Sequence, residues 1–230
     1  MLWSQQTSLG IGQVHDRKGT DSTMKVAIIG AGNVGKALAT SITRAGHEVT
    51  LSATTPQNAQ AAAKQVGATP AESNVSAVTD SDIVILAIPY AAAGEAVAAE
   101  IRDAVAGRVV VDATNPMKLD YSGLATDGIS AAEEFQARMP QARVVKAFNT
   151  VFAANQADPS ASGTPIDGYV AGDDADAKRA VLELVESIGL SPLDVGPLSS
   201  ARQLEGMAYL NIGLNAANGW SWTSAWHLVR

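Results

Sequence analysis

The feature that most constrains this chain is Gly30-Ala31-Gly32-Asn33-Val34-Gly35, placed between the β-branched run Val26 to Ile29 and an alanine-rich helical stretch over 34–45. In that setting the GxGxxG spacing has a physical meaning. Gly30 permits a tight strand-to-helix turn, Gly32 lets a ligand approach the backbone, and Gly35 lets helix and sheet pack closely. Unpaired N–H groups and the positive end of the dipole at the helix start favour an anion, here the pyrophosphate of a dinucleotide. A glycine-rich turn with no ligand is the alternative for the same six residues.

The rest of the chain repeats this alternation. Short apolar runs at 25–30, 48–52, 82–88, 108–113, 143–148, 168–171 and 192–195 read as strands. Helical stretches cover 34–45, 56–64 with Pro56 in the first turn, 91–105, 130–138, 176–187 and 203–215. Continuous apolar strands separated by helices predict an α/β, doubly wound parallel sheet of Rossmann type. Ligands of such sheets lie beyond the C-terminal strand ends, where the strand order reverses. A length of 230 residues suits one domain with little left over. That domain spans 24–230 and ends in a short helical segment. Residues 1–23 are polar, without sustained period, and read as a disordered or extended segment, or as an upstream start before Met24.

Composition narrows the function classes. The net charge is −7 and no Lys/Arg run is present, which argues against nucleic acid. The absence of cysteine removes disulfides, thiolate catalysis and cysteine-ligated metals. His15, His47 and His227 do not cluster and no metal-ligand spacing occurs, so no metal is expected. His47, in a helix–strand turn, is expected to interact with the helix end. No apolar run approaches the roughly 18 residues of a membrane span. With no secretory signal, the expected location is cytoplasmic.

The strand ending in Ser52-Ala53-Thr54-Thr55 bears on the choice of dinucleotide. An NAD site usually carries a carboxylate here, accepting from the ribose 2′-hydroxyl. This stretch has none, so a 2′-phosphate meets no repulsion and can accept from Ser52, Thr54 and Thr55. NADP is therefore favoured, with NAD or dual use as the alternative. The hydroxyls could instead simply cap the helix that Pro56 opens.

Further blocks carry a family resemblance: Asp112-Ala113-Thr114-Asn115-Pro116, then Val144-Val145-Lys146-Ala147-Phe148-Asn149-Thr150, then Gly172-Asp173-Asp174 with Ala177-Lys178. Leu193-Asp194-Val195-Gly196-Pro197-Leu198, Ala201-Arg202 and Leu204-Glu205 follow. In this order they resemble the F420-dependent NADP oxidoreductases, which pass hydride between NADPH and coenzyme F420, a deazaflavin. The cytoplasmic domains of six-span membrane metalloreductases are similar too. The resemblance runs from Met24 to about the C-terminus. It implies that Ala31, Gly32, Asn33 and Val34 touch the dinucleotide phosphates. Ala53 and Thr54 fall where the family usually has Ser-Arg on the 2′-phosphate, and the Arg is missing. The resemblance also implies that Ile88, Pro89, Tyr90, Asn115 and Pro116 end strands beside the cofactor. Ala147, Asn149, Thr150 and Ala153 would lie near the nicotinamide. For the asparagines, scaffolding of loop backbone is an equal alternative.

Hydride transfer between two cofactors asks the protein for orientation and exclusion of water more than for reactive side chains. Tyr90, Tyr121, Tyr169 and Tyr209 all lack a lysine four residues on, which argues against a short-chain dehydrogenase. No single catalytic residue is assigned. Lys118 and Lys146 are candidates for a general acid or an anion partner, and an ordinary surface lysine is the favoured reading of each. Only about 35 residues follow the last strand, so the acceptor is expected on the Rossmann surface, which suits a planar ring. An F420 acceptor, with its phosphate and oligoglutamate tail, calls for Arg138, Arg143, Lys146, Arg202 and Arg230 to gather near it. A flavin or quinone-like acceptor, or a non-catalytic NADP sensor, is the alternative. Trp220, Trp222 and Trp226 share the last eleven residues. Helical spacing puts Trp222 and Trp226 on one face, anchoring the tail in the core or a homodimer interface, with a lid on the acceptor as the other reading.

Overall fold

Side chains of β1 (Lys25–Ile29) alternate between two cores. Val26 and Ile28 join one buried cluster and Ala27 and Ile29 another. The same alternation divides the other central strands, so both sheet faces are covered, as continuous apolar strands require. The structure is a computed structural model and describes residues 23–229. The expectations for residues 1–22 and for Arg230 fall outside the described residues.

After β1 come α1 (Asn33–Arg44), β2 (Glu48–Ser52), α2 (Pro56–Val66), β3 (Thr69–Pro70), α3 (Asn74–Val78), β4 (Ile83–Leu86) and α4 (Tyr90–Ile101). The second half contains β5 (Val109–Asp112), α5 (Ala131–Arg138), β6 (Arg143–Lys146), α6 (Ala153–Ala157), β7 (Asp167–Gly172), α7 (Ala175–Ser187), β8 (Ser191–Asp194) and α8 (Ala201–Asn218). The sheet order is β3-β2-β1-β4-β5-β6-β7-β8. This is the doubly wound arrangement, whose order reverses between β1 and β4. On one face Leu38 and Ile42 of α1 and Val181, Leu184 and Val185 of α7 cover the sheet. On the other, Val78 of α3, Ala98 and Ile101 of α4 and Phe135 of α5 do so. No helix among the described residues is long and apolar enough to cross a membrane.

Three expectations need correction. The sheet is not wholly parallel, because β7 runs antiparallel to β6, with Val145 opposite Gly172. The connection between them holds only α6 and a 3₁₀ turn, and lacks the long covering helix of a parallel crossover. The C-terminal part is one helix, α8, whose chain then leaves helical geometry at Gly219 in the left-handed region. Trp222 and Trp226 therefore do not share a helical face. His47 meets its own helix end only through its backbone amide, which donates to the Ile42 carbonyl at 3.2 Å. Its imidazole turns elsewhere, Nδ1 accepting from the Met24 amide at 3.2 Å and Nε2 lying 2.9 Å from the Ser187 hydroxyl. Burial lowers its pKa.

Candidate active site

The reversal between β1 and β4 puts the glycine loop beside the end of β4. Gly30 has φ +112°, and a Cβ there would fall 2.3 Å from the Ala87 carbonyl oxygen. At Gly35 a Cβ would fall 1.8 Å from the Gly30 carbonyl oxygen, so loop, helix and β4 interlock only with glycine at both positions. Gly32 differs. Nothing lies within 4 Å of a Cβ built there, and no side chain caps α1. The first N–H groups of the helix therefore face open space in which an anion fits.

That space is a cavity of about 480 Å³, within the usual size of a ligand site. Seven of the expected residues line it: Gly30, Ala31, Gly32, Ala53, Thr54, Ile88 and Pro89. Lys36, Asn58, Gln65 and Asn74 also line it, and sequence reasoning missed all four. Lys36 is the one charged lining residue. Its place near the start of α1 follows from the motif, and the sequence gives no sign that it shares a cavity wall with Thr54.

A second cavity, of about 740 Å³, adjoins the other side of the same loop, where Val34 contributes to its wall. Asn115, Asn149, Thr150 and Ala153 line it, together with Phe152, Tyr209, Ile212 and Trp222. No charged residue does. Phe148, Tyr121 and Trp222 carry φ values of 66°, 58° and 59°, the three non-glycine residues with positive φ among those described. All three line this cavity. Each such backbone costs on the order of 1 kcal/mol and persists where surrounding structure enforces it, commonly at functional sites. Trp222 stacks edge-on against Phe152, with ring centroids 5.5 Å apart. Asn149 donates to Asn115 Oδ1 and to the Leu204 carbonyl, both at 3.0 Å. Gln156, also lining the cavity, donates to the Phe148 and Val151 carbonyls and holds the strained turn. The buried Asn149 Oδ1 and Gln156 Oε1 have no hydrogen-bond partner.

Six expected residues line neither cavity. Asn33 is exposed at the first position of α1. Ser52 is buried and donates to Asn74 Oδ1 at 2.7 Å. Thr55 Oγ1 accepts from the Asn58 amide and caps α2, so the capping alternative describes it correctly. Tyr90 opens α4 but turns away, donating to the Glu134 carboxylate and meeting Phe135 edge-on. Burial and the neighbouring Glu134 raise its phenol pKa. Pro116 is buried behind the loop, and Ala147 lies in the core.

Lys146 is no surface lysine. Its ammonium is fully buried and donates at 2.8 Å to Asp112 Oδ2, the Thr114 carbonyl and Glu205 Oε1. Burial pushes the Glu205 carboxyl upward against the opposing pull of Lys146. Glu205 also accepts from the Ala131 amide, so the cluster ties β5, β6, α5 and α8 together behind the Asn115–Asn149 pair. The arginines do not gather either: Arg138 pairs with Glu134 at 2.7 Å, Arg202 with Glu133 at 2.5 Å and Arg143 with Asp174 at 3.8 Å. Glu133 is held at about 2, chiefly by the Arg202 guanidinium. Of the tryptophans, Trp222 lines the second cavity, Trp226 packs on the small cluster of Tyr169, Ala171 and Leu204, and Trp220 is exposed.

Comparison with known proteins bears on this arrangement. The family model described as NADP oxidoreductase, coenzyme F420-dependent, matches residues 25–116, the part holding β1 to β5 and the glycine loop. A crystal structure from Arthrobacter sp. FB24, described as an F420-dependent NADP reductase, superposes with a TM-score of 0.81 at 27% identity, over 90% of this chain and 100% of that one. Over these residues the chain is similar to the F420-dependent NADP oxidoreductases. A Sinorhizobium meliloti protein, SMa0349, is 32% identical over 79% of this chain and 90% of its own, with a TM-score of 0.70. Metalloreductase STEAP3 of Rattus norvegicus is 30% identical over 189 residues, 79% of this chain and 36% of that protein. The chain thus spans about a third of the length of the curated relatives it matches.

The proteins it resembles are described as NADP-dependent oxidoreductases. The residues of this chain fit the cofactor: Gly32 leaves room where a diphosphate would lie, the start of α1 is uncapped, and no carboxylate lines the first cavity.

Proposed function

We propose that this chain is an NADP-dependent oxidoreductase that transfers hydride between NADPH and a planar, flavin-like ring, with coenzyme F420 the acceptor indicated by the family it resembles. The observation that carries the proposal is the second cavity: uncharged, bordered by the glycine loop, and walled by three residues held at positive φ. In this reading the uncapped start of α1 holds the dinucleotide phosphates. Residues Asn115, Asn149, Thr150 and Ala153 flank the reacting end. NADPH supplies the hydride when bound, and the chain supplies binding, orientation and exclusion of water. Phe152, Tyr209 and Trp222 form an aromatic and apolar wall for a flat ring.

A second reading, a flavin without a polyanionic tail, is favoured by one observation. Arg138, Arg143 and Arg202 are each engaged by a carboxylate, and no cation lines the second cavity. We also propose a homodimer through the exposed apolar side chains Leu210, Leu214 and Trp220 on and after α8, continuous with the cavity wall at Tyr209. Light scattering on a sizing column tests the assembly. A monomer at tens of micromolar would remove it. Placement in the cytoplasm goes with these proposals, and microscopy of a tagged chain in its native cell checks it.

The test of the acceptor is stopped-flow mixing of NADPH-loaded protein with F420 and, separately, with FMN. Rapid NADPH oxidation by F420 alone supports the first reading, and by FMN alone the second. Oxidation by neither overturns both.

A further inference from the structure

The missing arginine beside Thr54 leaves the family's usual cation position empty of charge, yet the first cavity is not without a cation. Lys36 lines it together with Ala53, Thr54, Asn58 and Gln65, the residues around the end of β2 and the facing side of α2. Its side chain is half-buried. No carboxylate lies within ion-pair distance of its ammonium, and no hydrogen bond engages it, among the described residues. By contrast, Lys146, Lys178, Arg138, Arg143, Arg179 and Arg202 are each paired with an acidic side chain. A lysine left unpaired on the wall of a cavity that contains no acid sets up a net positive field there.

The second observation concerns the hydroxyls that sequence reasoning assigned to a phosphate. Ser52 donates its proton to Asn74, and Thr55 is engaged in capping α2. Thr54 alone keeps a hydroxyl on the cavity, and it accepts weakly from Asn58 Nδ2 at 3.4 Å. Apart from Thr54 and Lys36, the polar side chains lining this cavity are the neutral amides Asn58, Gln65 and Asn74, and a dianionic phosphate needs a charge to offset its desolvation.

We infer that Lys36 is the residue that selects the 2′-phosphate of NADP, taking over, from near the start of α1, the charge that the family arginine supplies from the β2–α2 loop. The inference rests on the dinucleotide reading of the first cavity. Lys36 acts on affinity and cofactor choice and stands apart from the hydride-accepting cavity. An ammonium on a flexible stem serves a phosphate as a point charge and does not need the planar fork of arginine.

The test is equilibrium titration of the full-length protein with NADPH, NADH and 2′,5′-ADP, comparing wild type with Lys36→Gln and Lys36→Arg. The side chain has no protein partner, so the variants are expected to melt within a few degrees of wild type, checked by circular dichroism. Loss of a charge-assisted contact weakens NADPH and 2′,5′-ADP by roughly tenfold or more, with NADH changed less than about twofold. Lys36→Arg retains most of the preference, and added salt narrows the gap between NADPH and NADH in wild type only. A Lys36→Gln protein that keeps the wild-type ratio of NADPH to NADH affinity would overturn the inference. So would a wild type that binds both equally. Failure of wild type to bind any of the three probes would instead sink the dinucleotide reading itself.

Discussion

Lys146 Nζ and Glu205 Oε1 lie 2.8 Å apart with both side chains almost wholly shielded from water, joining the end of β6 to the last helix. The same ammonium meets Asp112 at 2.8 Å, so one cation faces two carboxylates. A buried arrangement of this kind is held together less by net Coulomb gain than by the cost of leaving any member unpaired. Its position behind Asn115 and Asn149 couples the fold of α8 to the wall of the second cavity.

Removing the cation leaves two buried carboxylates facing each other. Lys146→Met is expected to lower stability by about 3–5 kcal/mol, measured by urea unfolding. A loss below about 1 kcal/mol would show that water or rearrangement relieves the cluster.

Glu205 makes a separate prediction about pH. Burial raises its carboxyl above the usual value, so the folded state holds its proton more tightly than the unfolded state. Its contribution is thus complete below the unfolded value of about 4.3 and declines as pH rises through the higher folded value. Glu205→Gln resembles the protonated form and removes that decline. Thermal melts from pH 4 to 8 should show wild type losing stability relative to Glu205→Gln as pH rises, whereas parallel curves would contradict the assignment.

The glycine loop separates folding from binding. Gly35→Ala forces a Cβ against the Gly30 carbonyl and is expected to destabilise the protein by roughly 1–3 kcal/mol. A Cβ at Gly32 meets nothing within 4 Å, and the extended backbone there, at φ −75°, is one that valine accepts. The melt of Gly32→Val should stay within a few degrees of wild type while NADPH affinity falls at least about tenfold, as measured by calorimetric titration.

Trp222 separates the acceptor from the dinucleotide. Trp222→Gly loses the edge contact with Phe152, worth about 1 kcal/mol, and releases a positive-φ strain of similar size. Stability should therefore change little. Steady-state kinetics should show a several-fold rise in acceptor KM, with NADPH affinity within about twofold; an unchanged KM would place the acceptor elsewhere.

Local pattern made much of this molecule legible in advance. The strand at Glu48–Ser52 and the helix opened by Pro56 follow from side-chain period and proline geometry, which act over a few residues. The loop at Gly30 to Gly35 is legible because its glycines are demanded by contacts of Gly30 with β4 and Gly35 with Gly30. What escaped depends on contacts distant in sequence. Lys146 reads as a surface residue until Asp112 and Glu205, 34 and 59 positions away, are folded onto it. Ser52 loses its hydroxyl to Asn74 in a helix of only 5 residues, too short for a periodic signal. The direction of β7 and the strained turn at Phe148 are set by tertiary closure, and Lys36 reaches the cavity through the packing of α1 against α2.

The central claim is that the amides opening α1 receive the dinucleotide diphosphate, with the nicotinamide end beyond them toward the second cavity. Backbone amide NMR shifts during an NADPH titration test it most directly. The account predicts saturable shifts at Gly32, Asn33 and Val34 together with Thr150 and Ala153. Saturable binding that leaves those five amides unmoved, or no binding at millimolar NADPH, would contradict it.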